Sequence, residues 1–516
     1  MYKLLKRTRV WLSLLFLVLI TLNFLFFANR ETQFFFVLLK FQFVPSLLGA
    51  VTGSALVFIF LVILTLLFGR VYCSTICPLG TLQDIITKTG NLFKSKKSRR
   101  FKFDRPYNWL RYSILTIVGA LFIFGITLPL AYLDPYSNYG RISSEILSRS
   151  EQLIHNGFSQ IFPENVSFMN YSVFVAGSFI FALLFLLVIV ILSAFRGRLY
   201  CNTICPVGSF LGLISKLSFF KPVVNNNCNH CMACVQKCKS QCIDVENQGV
   251  DETRCVACLN CMQACKRGAI SYKFSWKRTI LKRILKEDDI ANLEKIDSKE
   301  RRRAIIAIGL MGTALAARAV NFGPIPSAKP KITGIAPPGA QSIEHLKKNC
   351  TACHACIAAC PNRIISPATN EYGLDGILLP VLSYKEQFCG YECNICTQVC
   401  PNGALVSMSV EEKQLCQIGK AKFSLESCIV YTDRTDCGAC NEHCPTKAIT
   451  MVPYRDYGLY IPKLNQNICI GCGGCEYICP ATPVKAIIVY GNEVHDVAQK
   501  PSLDEQKKIK VDEFGF

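Results

Sequence analysis

Four long apolar stretches alternate with charged loops in the first half of the chain, at residues 10–27, 44–68, 114–133 and 171–195. Each is close to the ~20 residues that cross the hydrocarbon core of a bilayer. Buried helices of a soluble protein are the competing reading, but they seldom come four together with basic loops between them. The pattern predicts four transmembrane helices, with the shorter run 304–317 as a candidate fifth. Beyond residue 220 the apolar positions scatter, and short runs sit between cysteines, glycines and prolines. That half predicts small α+β modules.

Charge sets the orientation. The N-terminus carries Lys3, Lys6, Arg7 and Arg9, and the loop after the second run carries Lys94, Lys96, Lys97, Arg99, Arg100, Lys102 and Arg105. Residues 134–170 hold only Arg141 and Arg149 against four acids. Basic loops stay in the cytoplasm. The N-terminus, residues 70–109 and the segment after 195 are therefore expected there, in a bacterial inner membrane. The net charge of +21 does not mark a nucleic-acid binder. Residues 321–516 hold 18 Lys+Arg and 19 Asp+Glu, so the surplus flanks the apolar runs. None of the six histidines falls inside those runs, which removes a bis-histidine haem as a relay within the chain.

Cysteine supplies the chemistry. Thirty are present, most in the spacing Cys-x2-Cys-x2-Cys-x3-Cys. A disulfide scaffold would be shorter and more evenly spaced, and zinc motifs seldom run at 2-2-3. Six motifs of four are expected to hold six [4Fe–4S] clusters. In residues 221–275 the cysteines are Cys228, Cys231, Cys234, Cys238 and Cys255, Cys258, Cys261, Cys265. The fourth cysteine of such a motif reaches the other cluster in two-cluster ferredoxins. Cys265 is thus expected with Cys228, Cys231 and Cys234, and Cys238 with Cys255, Cys258 and Cys261. Lys239 and Lys266 stand where a proline usually follows the fourth cysteine.

Residues 341–485 hold four more motifs: Cys350, Cys353, Cys356, Cys360; Cys389, Cys393, Cys396, Cys400; Cys428, Cys437, Cys440, Cys444; and Cys469, Cys472, Cys475, Cys479. The second has one extra residue after its first cysteine, and the third an insertion at 429–436. Cys242 is read as a structural spare, and Cys416 also falls outside the motifs. His230, His354 and His443 lie within motifs and are expected to tune potentials or sit on the surface. No phosphate loop, dinucleotide fingerprint or nucleophile triad is visible.

Residues 69–84 (GRVYCSTICPLGTLQD) and 197–212 (GRLYCNTICPVGSFLG) form an internal repeat, each copy directly after an apolar run. Such repeats place functional sites where the halves meet. Cys73, Cys77, Cys201 and Cys205 are expected to converge there. They could hold a seventh Fe–S cluster, hold a soft metal such as Cu(I), act as redox dithiols, or only pack helices. Asp134 and Tyr136, at the end of the third run, are candidates for handling quinol protons, against the simpler reading of Asp-Pro as a turn.

The division expected is a membrane domain over 1–220, a two-cluster ferredoxin-like domain over 221–275, a joint over 276–340, a four-cluster module over 341–485 and a tail over 486–516. The joint contains Arg302-Arg303 before the apolar run 304–317, an imperfect twin-arginine export pattern with Ile-Ile for its favoured Phe-Leu. A module assembled around clusters must cross a membrane already folded, which that route allows. The C-terminal module is accordingly expected in the periplasm.

On these motifs residues 1–275 resemble the NapH-type membrane subunit of quinol dehydrogenases, whose pattern NosR and CcoG proteins share in part. Residues 298–485 resemble the NapG/MauM-type four-cluster ferredoxins, so the chain looks like a fusion of the two. The resemblance implies oxidation of menaquinol or ubiquinol and delivery of electrons to a periplasmic reductase or cytochrome c, within a multi-subunit complex. It further implies that the first C-terminal motif pairs with the fourth and the second with the third. Cys479 would then complete the Cys350 cluster and Cys360 the Cys469 cluster; Cys444 would complete the Cys389 cluster and Cys400 the Cys428 cluster. Two other functions stay open: a metallocentre-assembly or copper-reducing factor, and a conduit between quinone and a cytosolic ferredoxin or flavoprotein.

Overall fold

The computed structural model describes residues 2–25, 36–51, 55–95, 99–163, 168, 171–245, 249–274, 334–455 and 458–500. The joint with Arg302 and Arg303 lies outside the described residues. The chain divides into two compact units. One comprises Met1–Asn23, Gln33–Ile142 and Ala182–Ile325, the other Phe24–Thr32, Ser143–Phe181 and Pro326–Phe516.

Two of the four apolar runs form unbroken helices long and apolar enough to cross a membrane, Tyr2–Leu25 and Ala176–Arg196. The other two depart from the expected single spans. The second run is divided into Phe43–Val51 and Leu56–Phe68, which pack on one another, with the Phe43 and Phe58 rings 5.7 Å apart. The third is divided into Asn108–Ile123 and Leu128–Leu133. The reason for the third break is local: Gly125 takes a left-handed φ of +83°, and Pro129 follows within the first turn of the next segment.

The repeat units are built alike. Gly69 and Gly197 end their helices at φ +67° and +65°. At Gly197 a side chain would meet the Lys239 carbonyl at 2.5 Å, so glycine is required there. A short helix follows in each copy, Tyr72–Thr75 or Leu199–Thr203, then an extended cysteine, then a helix with proline in its first turn, Pro78–Gly90 or Pro206–Ser215. Proline suits that position because its missing N–H would have no partner there. These segments pack with Leu48, Leu61, Val118 and Ile189 into one core.

The ferredoxin-like part of the first unit is closed by an antiparallel hairpin, Phe220–Val224 against Ile270–Phe274. Between the two strands lie both three-cysteine loops, each leading into a helix of one turn, Ala233–Gln236 or Asn260–Ala264.

In the second unit, strand Cys416–Phe423 pairs antiparallel with Ile487–Val497. Residues 487–497, expected as tail, thus belong to the C-terminal module. Smaller hairpins pair Ile365–Pro367 with Pro380–Leu382 and Ile449–Tyr454 with Leu459–Leu464. Ser342 caps helix Ile343–Asn349, and a Ser409/Glu412 capping box starts Val410–Leu415. Residues 143–161, from the loop between the third and fourth apolar runs, form a π-turn and a helix, Ser148–Ile161, in this same unit.

Candidate iron–sulfur sites and a buried cysteine centre

The cluster loops share a backbone device. In the motifs starting at Cys228, Cys255, Cys350 and Cys469, the residues on both sides of the second cysteine take left-handed φ: His230 and Met232, Ala257 and Leu259, Ala352 and His354, Gly471 and Gly473. Successive turns of this kind point backbone N–H groups inward at an anion. Six of these eight residues carry a side chain, a conformation that costs on the order of 1 kcal/mol each. The two irregular motifs lack the device, because Asn394 and Gly438 enter their helices at φ −126° and −123°. Backbone N–H groups also meet cysteine sulfurs directly. Ala269 donates to Cys265 Sγ at 3.2 Å, Leu405 to Cys400 Sγ at 3.3 Å and Ala448 to Cys444 Sγ at 3.2 Å.

Four-cysteine cavities form as a cubane requires. In the first unit Cys238, Cys255, Cys258 and Cys261 line one cavity. Cys234 lies in electrostatic reach of Cys228 and Cys265. The expected exchange of fourth cysteines is present here. In the second unit the structure departs from the pairing that the resemblance implied. Cys350, Cys353 and Cys356 line a cavity with Cys400, and Cys428, Cys437 and Cys440 line one with Cys479. Cys360 faces Cys389 and Cys393, and Cys444 faces Cys472 and Cys475. First therefore pairs with second and third with fourth. The cause is packing: helix Ala355–Ala359 sits against Ile395–Val399, and Ala439–Glu442 against Gly474–Ile478.

These sulfurs and donors fit [4Fe–4S] clusters, which thiolates hold and inward N–H groups stabilise. Among the described residues no group of three or more His, Cys, Asp or Glu closes on a single metal ion. A cubane keeps its ligand sulfurs further apart than one ion does.

The repeat cysteines Cys73, Cys77, Cys201 and Cys205 are all buried in one core. The pseudo-symmetry is reciprocal: Arg70 donates to the Cys201 carbonyl at 2.9 Å, and Arg198 to the Cys73 carbonyl at 2.5 Å. Cys77 and Cys205 hold nearly identical dihedrals, φ −67°, ψ 117° and φ −64°, ψ 116°. Burial raises the Cys77 and Cys205 thiols well above their ordinary range, and neighbouring cysteines push the same way. A bound metal centre would reverse that and hold them as thiolates.

Asp84 anchors the surroundings, taking Arg198 at 2.9 Å, Lys239 at 3.3 Å and Arg9 at 3.8 Å. Burial works to raise its carboxyl, but these three cations outweigh it and hold Asp84 below the usual carboxylate range. Lys239 is thus one residue that ties the ferredoxin-like part to the repeat. Thr253 adds to that joint, its carbonyl accepting from Arg70 at 2.8 Å and from Arg111 at 3.1 Å. Cys258 packs against the core that holds the four repeat cysteines.

Asp134 is buried and caps helix Pro135–Ile142: Ser137 donates to its carboxylate from N at 2.8 Å and from Oγ at 2.7 Å. It also lies in electrostatic reach of Tyr72 and Tyr200, each next to a repeat cysteine. Tyr200 donates to the Leu133 carbonyl at 2.9 Å. Tyr136 is wholly buried on the same helix. His230 and His443 are exposed, whereas His354 is buried 3.6 Å from Glu145 and 3.3 Å from Ser144.

The family described as a 4Fe-4S binding domain matches residues 51–100 and 178–224, which contain the repeat cysteines. A second family of that description matches 249–271, and a 4Fe-4S dicluster domain matches 433–482. The ferredoxin-type protein NapF of Escherichia coli K12 is 30% identical over 154 residues, which is 30% of this chain and 84% of NapF. The chain belongs to the NapF-type ferredoxins. The methylamine utilization ferredoxin-type protein MauM of Methylorubrum extorquens is 29% identical over 193 residues, 34% of this NapF-type chain and 84% of MauM. An uncharacterized protein of Methanocaldococcus jannaschii is 28% identical over 258 residues, 49% of this chain and 92% of its own length. No solved structure matches. The chain is an iron–sulfur electron-transfer protein of ferredoxin type.

Proposed function

We propose that the protein is a quinol dehydrogenase component of the inner membrane, as the NapH-like half of the resemblance implied. Quinol is oxidised beside the repeat cysteines and electrons leave through [4Fe–4S] clusters, six in all with a seventh centre at the repeat. The observation that carries this reading is that the buried carboxylate Asp134 shares its surroundings with Tyr72, Tyr200 and the repeat cysteines. Quinol oxidation releases two electrons and two protons, so it needs an electron acceptor and a proton acceptor at one place. The four sulfurs with Arg70 and Arg198 close by fit an anionic Fe–S centre as the electron acceptor, and Asp134 is the proton acceptor.

The C-terminal module is assigned to the periplasmic face, where its acceptor is a reductase or cytochrome c. The support is the packing of His354, inside its first cluster motif, on Ser144 and Glu145. Those two residues belong to the part of the acid-rich loop, from Ser143 on, that falls in the same unit as the C-terminal module, and its scarcity of basic residues supports the outer face. The test is anaerobic addition of a soluble menaquinol analogue to the purified protein. Cluster reduction, followed by loss of visible absorbance, is expected. Clusters that dithionite reduces but quinol leaves oxidised would overturn the assignment.

A further inference from the structure

The cavity lined by Cys238, Cys255, Cys258 and Cys261 contains a fifth thiol, Cys242. It is almost fully buried, and its sulfur lies 3.6 Å from Cys238 Sγ. Its place in the loop explains how it arrives there. Four residues after the fourth cysteine, and one after a left-handed residue, the chain turns inward in five of the six motifs. The left-handed residues are Gln241, Gly268, Arg363, Gly403 and Lys447. The inward residues are Cys242, Ala269, Ile364, Ala404 and Ala448, all buried. Four of the five side chains are inert, although Ala269 and Ala448 donate their backbone N–H to a cysteine sulfur. Only at 242 does the same geometry deliver a side-chain donor.

We propose that Cys242 tunes this one cluster by donating its S–H to the sulfur of Cys238. A Cys238 sulfur bound to iron carries no proton, so the hydrogen in the 3.6 Å contact must come from Cys242. A hydrogen bond to a cluster sulfur stabilises the more negative, reduced state and raises the reduction potential. The cluster so tuned is the one whose Cys258 packs against the repeat core, so its potential governs the first transfer out of the repeat. Cys242 is a positioning residue for the cluster's electronics and not one of its ligands. This inference rests on the cluster reading of the four cysteines.

The test is an EPR-monitored redox titration of the full-length protein with Cys242→Ala and Cys242→Ser. Alanine is what the fold already accepts at 269, 404 and 448, so folding should hold. Expected are unchanged iron content, a midpoint moved to lower potential for one cluster in the alanine variant, and a smaller shift in the serine variant, which keeps an O–H donor. Unmoved midpoints at full iron content would overturn the proposal. Loss of one cluster's iron in both variants would also overturn it, by making Cys242 a ligand. An unmodified protein without cluster signals would instead defeat the cluster reading.

Discussion

At the residue scale, Lys239 and Asp134 show how one position can serve two demands. Lys239 stands in place of the usual proline after a fourth cysteine and supplies an ammonium that pairs with Asp84 at 3.3 Å, while its carbonyl, which a proline would also offer, accepts from the Arg198 N–H at 3.1 Å. Asp134 is a helix cap, as the simple reading of Asp-Pro held, and also a buried titratable group. Burial raises its carboxyl to about 6, against the pull of the Ser137 hydrogen bonds. As a proton acceptor it must be ionised, so quinol-driven cluster reduction should fall as pH drops through about 6. Asp134→Asn keeps the cap, since Asn caps as well as Asp, but cannot take a proton. Stopped-flow reduction by quinol should slow by about 10²-fold or more, the usual worth of a general base, while the melting temperature stays near that of the parent. An unchanged rate would return Asp134 to a purely structural role. Asp84 behaves oppositely. Its carboxyl is depressed, so its stabilisation is complete above the ordinary carboxylate range and is lost as pH falls from that range through the depressed one. Asp84→Asn leaves Arg198 buried without its carboxylate and should cost about 3–5 kcal/mol, read from thermal unfolding in detergent.

At the scale of elements, the Cys-Pro helix starts repeat in atomic detail. A Cβ on Gly80 would lie 2.3 Å from the Cys73 carbonyl oxygen, and one on Gly208 would lie 2.2 Å from that of Cys201. Both obstacles are backbone and cannot swing away. Gly80→Ala and Gly208→Ala should each destabilise by about 1–3 kcal/mol, the cost of overpacking, and by similar amounts because the two sites are pseudo-equivalent. Differential scanning calorimetry would settle it; tolerance of either change would contradict the close approach of the short helix and the Cys-Pro helix within that copy. The broken second and third apolar runs belong at this scale too. Hydropathy reads how apolar a stretch is. It does not read a left-handed glycine at 125, or a segment that folds back so that Phe43 meets Phe58.

At the scale of the whole molecule, the six cysteine motifs fall into three pairs, and in each pair the fourth cysteine of one motif lies with the first three of the other. Cys400→Ser should therefore alter the EPR signal of the cluster held by Cys350, Cys353 and Cys356, and Cys479→Ser that of the cluster held by Cys428, Cys437 and Cys440. Matching each spectrum to Cys353→Ser and Cys440→Ser would identify the cluster affected. If Cys479→Ser instead matched Cys353→Ser, the pairing implied by resemblance would be restored. Anaerobic protein should carry about 24–28 irons at four per cluster; a value near 8 would defeat the six-cluster count.

The sequence by itself determined the cofactor class, the internal repeat and which cysteines are the candidate ligands, with the expected exchange within residues 228–265. Spacing encodes these, since three cysteines at 2-2 spacing can only wrap one small centre. Tertiary structure decided which distant motifs share a cluster, because helix packing selects the partner and every motif offers the same fourth cysteine. It decided that Cys242, a spare by counting, faces the cavity of four motif cysteines, since the inward turn at Gln241 is a backbone conformation and leaves no mark in composition. It also brought Asp134 to the tyrosines of the repeat. The two copies lie more than a hundred residues apart in the chain, and only their packing encloses the carboxylate between them.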